Sequence, residues 1–227
     1  MSFYNKILKH VGYGGYNAMK ENNSIIIDAV VGAGKSALMQ LLEEARSFKA
    51  FPEPVVNNPL LDDFYHDRQR YSFPLQIFFL NKRFKHIKEA SKLENAIMDR
   101  SIYGDAIFSK LLHDNNEMST VEFELYCELL QNMLEHVQKP KLMIYLEIST
   151  DEAIKRITKR GRSYELIVER DYWEHLNREY RAYFSQYDIS PLLTISVDGL
   201  DFIGNEKDKA YILDLIDNKL REIEGKV

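Results

Sequence analysis

Short apolar runs rich in β-branched residues alternate along this chain with longer stretches whose apolar positions recur every three or four residues. The run 24–29 (SIIIDA) has the length and composition of a buried strand, and 48–53, 95–99, 141–148 and 192–197 repeat that signature. Between them the period changes. Leu38, Leu41 and Leu42 predict a helix over 35–45, and Leu75, Phe78, Phe79, Phe84 and Ile87 predict a long one over 73–90. Helical spacing also covers 59–65, 102–113, 120–137, 150–159, 170–187 and 207–222, whereas 160–165 and 198–206 read as loops. Strands separated by helices predict an α/β fold, a central parallel sheet of about five strands with helices on both faces. Residues 1–23, with Gly12, Gly14 and Gly15 among Tyr13 and Tyr16, read as an N-terminal extension holding one short helix around 4–10. Residues 24–227 read as a single domain.

The turn after the first strand carries the strongest local signal, Ala29-Val30-Val31-Gly32-Ala33-Gly34-Lys35-Ser36. It leaves a buried strand and opens a helix, which is where a phosphate-binding loop must sit. Gly32 and Gly34 let backbone amides turn toward phosphate oxygens around Ala33. Lys35 would reach the β- and γ-phosphates, and the Ser36 hydroxyl would hold Mg2+. The pattern usually opens with glycine, and its relaxed form accepts the alanine found at position 29. Such a loop predicts binding of ATP or another nucleoside triphosphate. ATPases, GTPases and small-molecule kinases all share it, so the reaction stays open.

Composition narrows the surroundings. With 227 residues, 45% hydrophobic and 29% charged, the chain supports one soluble domain with a sizeable core. A net charge of -5 argues against a nucleic-acid partner, although basic residues gather at 156–162. Cys127 is the only cysteine and sits in an apolar helical pattern, which excludes an intrachain disulfide and predicts a buried, unreactive thiol. The six histidines show no metal-ligand spacing. No apolar run reaches the roughly 20 residues that cross a bilayer, and no signal peptide is evident, so the expectation is a cytoplasmic protein with no membrane contact.

Four further motifs follow the loop in order: Glu53-Pro54-Val55, 65–76 (YHDRQRYSFPLQ), Asp99-Arg100-Ser101 with Asp105, and 156–165 (RITKRGRSYE). Together with the loop they resemble the deoxynucleoside kinase family, especially its bacterial deoxyadenosine/deoxyguanosine kinase branch, over about 24–220. The resemblance implies a P-loop kinase fold with an Arg-rich lid. It makes Glu53 the general base for the 5′-hydroxyl, and Tyr65 with Glu165 the holders of the sugar 3′-hydroxyl. Gln76 would read the base edge, Arg83 and Asp105 would form a base-selecting pair, and Phe108 would stack on the base. Asp99 would join Ser36 at Mg2+, and Arg100 would contact the reacting centre. Arg160 and Arg162 would clamp the transferring phosphate, while Arg156 and the Asp201–Phe202 loop would flank the donor adenine. Family members often continue after Glu-Pro-Val with an acidic residue where this chain has Val56.

The leading reading is therefore an ATP- and Mg2+-dependent kinase in nucleotide salvage. It would phosphorylate deoxyadenosine, deoxyguanosine or deoxycytidine, because a carboxylate held by arginine accepts from an exocyclic amino group that thymine lacks. A homodimer joined through long helices is implied as well. A nucleoside monophosphate kinase of the thymidylate kinase kind is the second reading, and a nucleotide-binding regulatory protein without catalysis the third. Gln76 also reads as a core amide, and Arg83–Asp105 as a structural ion pair.

Overall fold

Ile25, Ile26 and Ile27 are enclosed on every side because their strand, β1 (Ile25–Asp28), runs through the middle of the sheet. A computed structural model of the chain describes residues 3–8, 23–55 and 58–225. Val56, His10 and the cluster Gly12 to Tyr16 lie outside the described residues. Among those described, the sheet has five parallel strands: β2 (Lys49–Phe51), β3 (Ala96–Asp99), β1, β4 (Leu142–Glu147) and β5 (Leu192–Ser196), in that spatial order. Ile26 stands beside Met98 on one side and Met143 on the other. β2 and β5 are the edges among the described residues, and the exposed positions of β5 match the weaker apolar pattern there.

The chain leaves β1 for one half of the sheet and reaches β4 on the other side of β1, so a crevice opens at the strands' carboxyl ends. Helices α2 (Lys35–Arg46), α3 (Leu61–His66), α4 (Arg68–Ala90), α5 (Asp105–Asp114), α6 (Thr120–Leu134), α7 (Thr150–Arg160), α8 (Ser163–Leu166), α9 (Arg170–Phe184) and α10 (Glu206–Ile223) accompany the strands. The short helix α1 (Phe3–Leu8) packs against α6, with the Phe3 ring stacked on Phe123 at 5.4 Å. Its Tyr4 is buried and donates to Glu179 Oε2 at 2.6 Å.

Several boundaries differ from the sequence pattern, each for a local reason. α4 begins at Arg68 rather than near 73, because the Asp67 side chain accepts from Arg70 N at 3.2 Å and caps an extra turn. Pro74 lies inside that helix within its first two turns. The helix expected from 102 starts as a 3-10 turn, Ile102–Gly104, before α5. The loop expected over 160–165 folds into α8 from Ser163, since burying Glu165 between lid arginines winds the chain there. Cys127 is half-buried, and burial pushes its thiol up to about 12, so it is no nucleophile.

The enclosed β1 isoleucines hold the crevice's floor. Ile26→Ala should cost roughly 2–5 kcal/mol, read as a lower urea midpoint at unchanged slope.

Candidate active site

The phosphate loop is shaped by two glycines in left-handed backbone. Gly32 has φ 89°, and a Cβ there would meet Ala153 O of α7 at 2.7 Å. Gly34 has φ 99°, and a Cβ there would meet the Phe202 ring at 2.7 Å. Gly34 also precedes α2 without a side-chain cap, so the first N–H groups of a 12-residue helix face the loop with its positive dipole end. Ala29 and Ala33 are wholly buried and turn their methyls into the core.

Three strand ends converge beside this loop. Ser36 Oγ at the start of α2 donates to Asp99 Oδ2 at 3.1 Å, and Lys35 Nζ lies 3.7 Å from Asp99 Oδ1. Burial, with Arg100 next to it, lowers the Lys35 ammonium while Asp99 pulls it back up. Asp99 Oδ1 accepts no hydrogen bond among the described residues. A hydroxyl and a carboxylate with a spare oxygen form a hard donor set that fits Mg2+ carrying a phosphate chain.

Beyond β2, Glu53 Oε1 accepts from Arg83 Nη2 at 2.8 Å and Arg100 Nη1 at 3.0 Å. Burial alone would raise this carboxyl, but Arg100, Lys35 and Arg83 outweigh it and hold it down to about 2. Arg83 reaches back from α4 to Asp105 at the start of α5, so one guanidinium bridges two carboxylates. Asp105 is fully buried behind Arg83 and does not line the cavity. Burial lifts it to about 6, with Arg83 pulling the other way.

These groups line a cavity of about 950 Å³ that also takes in Tyr65, Gln76, Phe108, Arg156, Arg160, Arg162, Glu165, Asp201 and Phe202. Gln76 is buried on α4, and its Oε1 has no hydrogen-bond partner among the described residues. Apolar Leu75, Phe79 and Leu112 surround it on the cavity wall. Phe108 lies under the Arg100 guanidinium at 4.7 Å rather than open on both faces.

The lid differs most from expectation. Glu165 is buried and accepts from Arg160 Nη2 at 2.6 Å and Arg162 Nη1 at 3.4 Å, so the carboxylate paired with Tyr65 by resemblance holds both lid arginines instead. Tyr65 stacks on Tyr164 at 5.1 Å, and burial raises its hydroxyl so that it stays neutral. Arg156 donates to Val197 O at 2.8 Å, Leu200 O at 3.1 Å and Ala33 O at 3.4 Å, tying α7 to the loops on both sides. Asp201 accepts from Ile203 N and Gly204 N and shapes its own turn. Phe202 is buried against Gly34.

Sequence reading missed Asp28 and Tyr180, which touch Arg100 from behind. The one signal was an acidic residue ending the apolar run of β1. Away from the cavity, Asp114, His175 and Glu179 converge, but Lys110 already supplies a cation there, 3.2 Å from Glu179.

Known proteins resemble this chain over most of its length. The family model described as "Deoxynucleoside kinase" matches residues 25–221. The deoxyadenosine kinase of Lactobacillus acidophilus is 40% identical over 208 residues, covering 88% of this chain and 97% of its own. The deoxyguanosine kinase of the same organism is 39% identical, covering 88% and 91%. A solved structure of deoxyadenosine kinase from M. mycoides, with products dCMP and a flexible dCDP bound, superposes with a TM-score of 0.78 at 34% identity, covering 86% and 99%.

The carboxylate depressed by arginines sets a pH expectation. Glu53 has its folded value near 2, below the ordinary 4.5 it regains on unfolding, so its stabilisation is complete above about 4.5 and is lost as pH falls toward 2. Thermal melts across that range should fall more steeply in the wild type than in Glu53→Gln.

Proposed function

The chain belongs to the deoxynucleoside kinase family, and from that premise we propose how its residues divide the work of moving the ATP γ-phosphate to a 5′-hydroxyl. The enzyme phosphorylates a deoxynucleoside of the deoxyadenosine/deoxyguanosine kind with ATP, a salvage reaction. The observation that carries the assignment of roles is the Glu53 carboxylate held by Arg83 and Arg100 at the end of β2, within one cavity with Lys35.

A carboxyl near 2 is a weak base. An alkyl hydroxyl is a far weaker acid than a carboxyl, so full deprotonation by Glu53 before transfer is strongly uphill. Glu53 therefore orients the 5′-hydroxyl through Oε2 and takes its proton only as the new P–O bond forms, which suits a loose phosphoryl transition state. Lys35 and the N-terminus of α2 stabilise the β- and γ-phosphates, and Arg100 stabilises charge between Glu53 and the incoming oxygen. Arg160 and Arg162 join them once they leave Glu165. That carboxylate, with Tyr65, then accepts the sugar 3′-hydroxyl. Ser36 and Asp99 would hold Mg2+, which neutralises phosphate charge when bound.

Among bases we favour adenine. The unpartnered Gln76 Oε1 is placed to accept from an exocyclic amine while the amide nitrogen donates to a ring nitrogen. Asp105 fixes Arg83, which then selects at the same edge. No helix among the described residues is long and apolar enough to cross a membrane, and the cytoplasm with small-molecule partners alone fits the reading. We also propose a homodimer through α6, where Val121 and Leu125 stay 66% and 53% exposed. A monomeric mass in sedimentation would count against it.

The decisive assay offers ATP and each of the four deoxynucleosides and their monophosphates. Transfer to deoxyadenosine and none to thymidine monophosphate is expected; the reverse preference would select the monophosphate kinase reading. Glu53→Gln should lower kcat by about 100-fold or more while ATP affinity holds, because general-base roles contribute on this scale. Near-normal turnover in that variant would remove Glu53 from its role.

A further inference from the structure

Asp28 is 1% exposed at the carboxyl end of β1, immediately before the phosphate loop, and no role described above uses it. A carboxylate so deeply buried is costly unless cations and hydrogen bonds compensate it. Its Oδ1 accepts from Tyr180 Oη of α9 at 3.0 Å and from Ala29 N at 2.8 Å. The same oxygen lies 3.6 Å from Arg100 Nε. Its Oδ2 lies against Gly104, where a Cβ would collide with it. Gly104 has φ -85°, a conformation open to any residue, so glycine stands here for space rather than for backbone freedom.

Arg100 needs such support. Its φ of 64° places a bulky residue in the left-handed region, a strain of about 1–2 kcal/mol that its surroundings must hold. Two guanidinium nitrogens donate hydrogen bonds, Nη1 to the Glu53 carboxylate and Nη2 to the Ala29 carbonyl at 3.0 Å, while Nε donates none among the described residues and meets the Asp28 carboxylate only as an ion pair. Remove the third and the fork keeps two anchors on one edge, free to tilt toward Glu53 or toward the phosphate loop. Tyr180 places Asp28 in turn, and its ring also lies 6.0 Å from the same guanidinium.

We propose that Asp28, aimed by the Tyr180 hydroxyl, is a positioning residue that locks the Arg100 guanidinium at the angle needed for phosphoryl transfer. The proposal rests on the kinase reading above, and it adds a link from α9 through Asp28 to the reacting centre. Asp28 does not line the cavity, so its loss should appear in the chemical step and not in ground-state binding. Burial lifts the Asp28 carboxyl, and Arg100, Lys35, Arg83 and the Tyr180 bond offset only part of that rise.

The test is steady-state kinetics of the full chain with ATP and its best deoxynucleoside, alongside thermal melts. In Asp28→Asn, kcat should fall by about 10-fold or more, the scale of a misplaced catalytic group, with both KM values within about threefold of wild type. Tyr180→Phe keeps the ring and removes only the hydroxyl; it should lower kcat severalfold, and the double variant should be no slower than Asp28→Asn alone. A folded Asp28→Asn with wild-type kcat overturns the proposal, as does a fully additive double variant. If Asp28→Asn does not fold, Tyr180→Phe decides: lowered kcat at unchanged KM supports the proposal, and wild-type kcat overturns it. A wild-type chain that transfers phosphate to no deoxynucleoside overturns the kinase reading itself, before any variant is compared.

Discussion

Three cations buried at one end of a parallel sheet have to be neutralised where they stand, and that requirement organises the rest of the site. Lys35, Arg83 and Arg100 are all enclosed, and each would be a costly uncompensated charge without an acid beside it. The parallel arrangement supplies the acids, because β1, β2 and β3 end side by side and present Asp28, Glu53 and Asp99 to one space. Asp105 adds a fourth from the first turn of α5. In the proposed reaction the groups that balance charge in the free protein are also the groups that orient an acceptor hydroxyl and a phosphate chain. Stability and catalytic alignment draw on the same contacts.

The sheet-end groups and the lid are built on different principles. Glu53, Asp99 and Arg100 sit at strand ends, and Arg83 inside α4, on elements whose register is locked by backbone hydrogen bonds, Arg100 N donating to Ile27 O at 2.9 Å among them. They can be held to a fraction of an ångström before substrate arrives. Arg160 and Arg162 are half-exposed at the end of α7, and their partner in this state is Glu165. The proposed exchange of partners needs only a short segment to move, with Gly161 in left-handed backbone between them. In the proposed reaction a rigid floor with an adjustable cover would let the site exclude water late, after both substrates are seated.

The fold was legible because its signals are local. A short apolar run such as 141–148 reads as a strand in a two-faced sheet, and glycine at 32 and 34 is demanded by backbone turns that no other residue adopts cheaply. Element ends were less legible. Asp67 capping α4 looks no different in sequence from Asp62 or Asp63 nearby, which lie inside α3. The lid residues were legible as a basic cluster, but not their shared carboxylate partner, since Glu165 could equally have faced Tyr65. Asp28 went unnoticed as chemistry because one acidic residue closing a strand is ordinary until Tyr180, 152 positions away, is seen to reach it.

By itself, then, the sequence determined the period of every main element, the phosphate-binding turn and the order of motifs that mark the family. Each of these depends on residues within a few positions of one another. Tertiary structure decided which charge faces which. It set Arg83 between Glu53 and Asp105, Arg100 among Glu53, Ala29 and Asp28, and both lid arginines on Glu165. Coulomb and hydrogen-bond energies fall off over a few ångströms. Such pairings therefore exist only once the sheet has brought distant segments to its carboxyl ends.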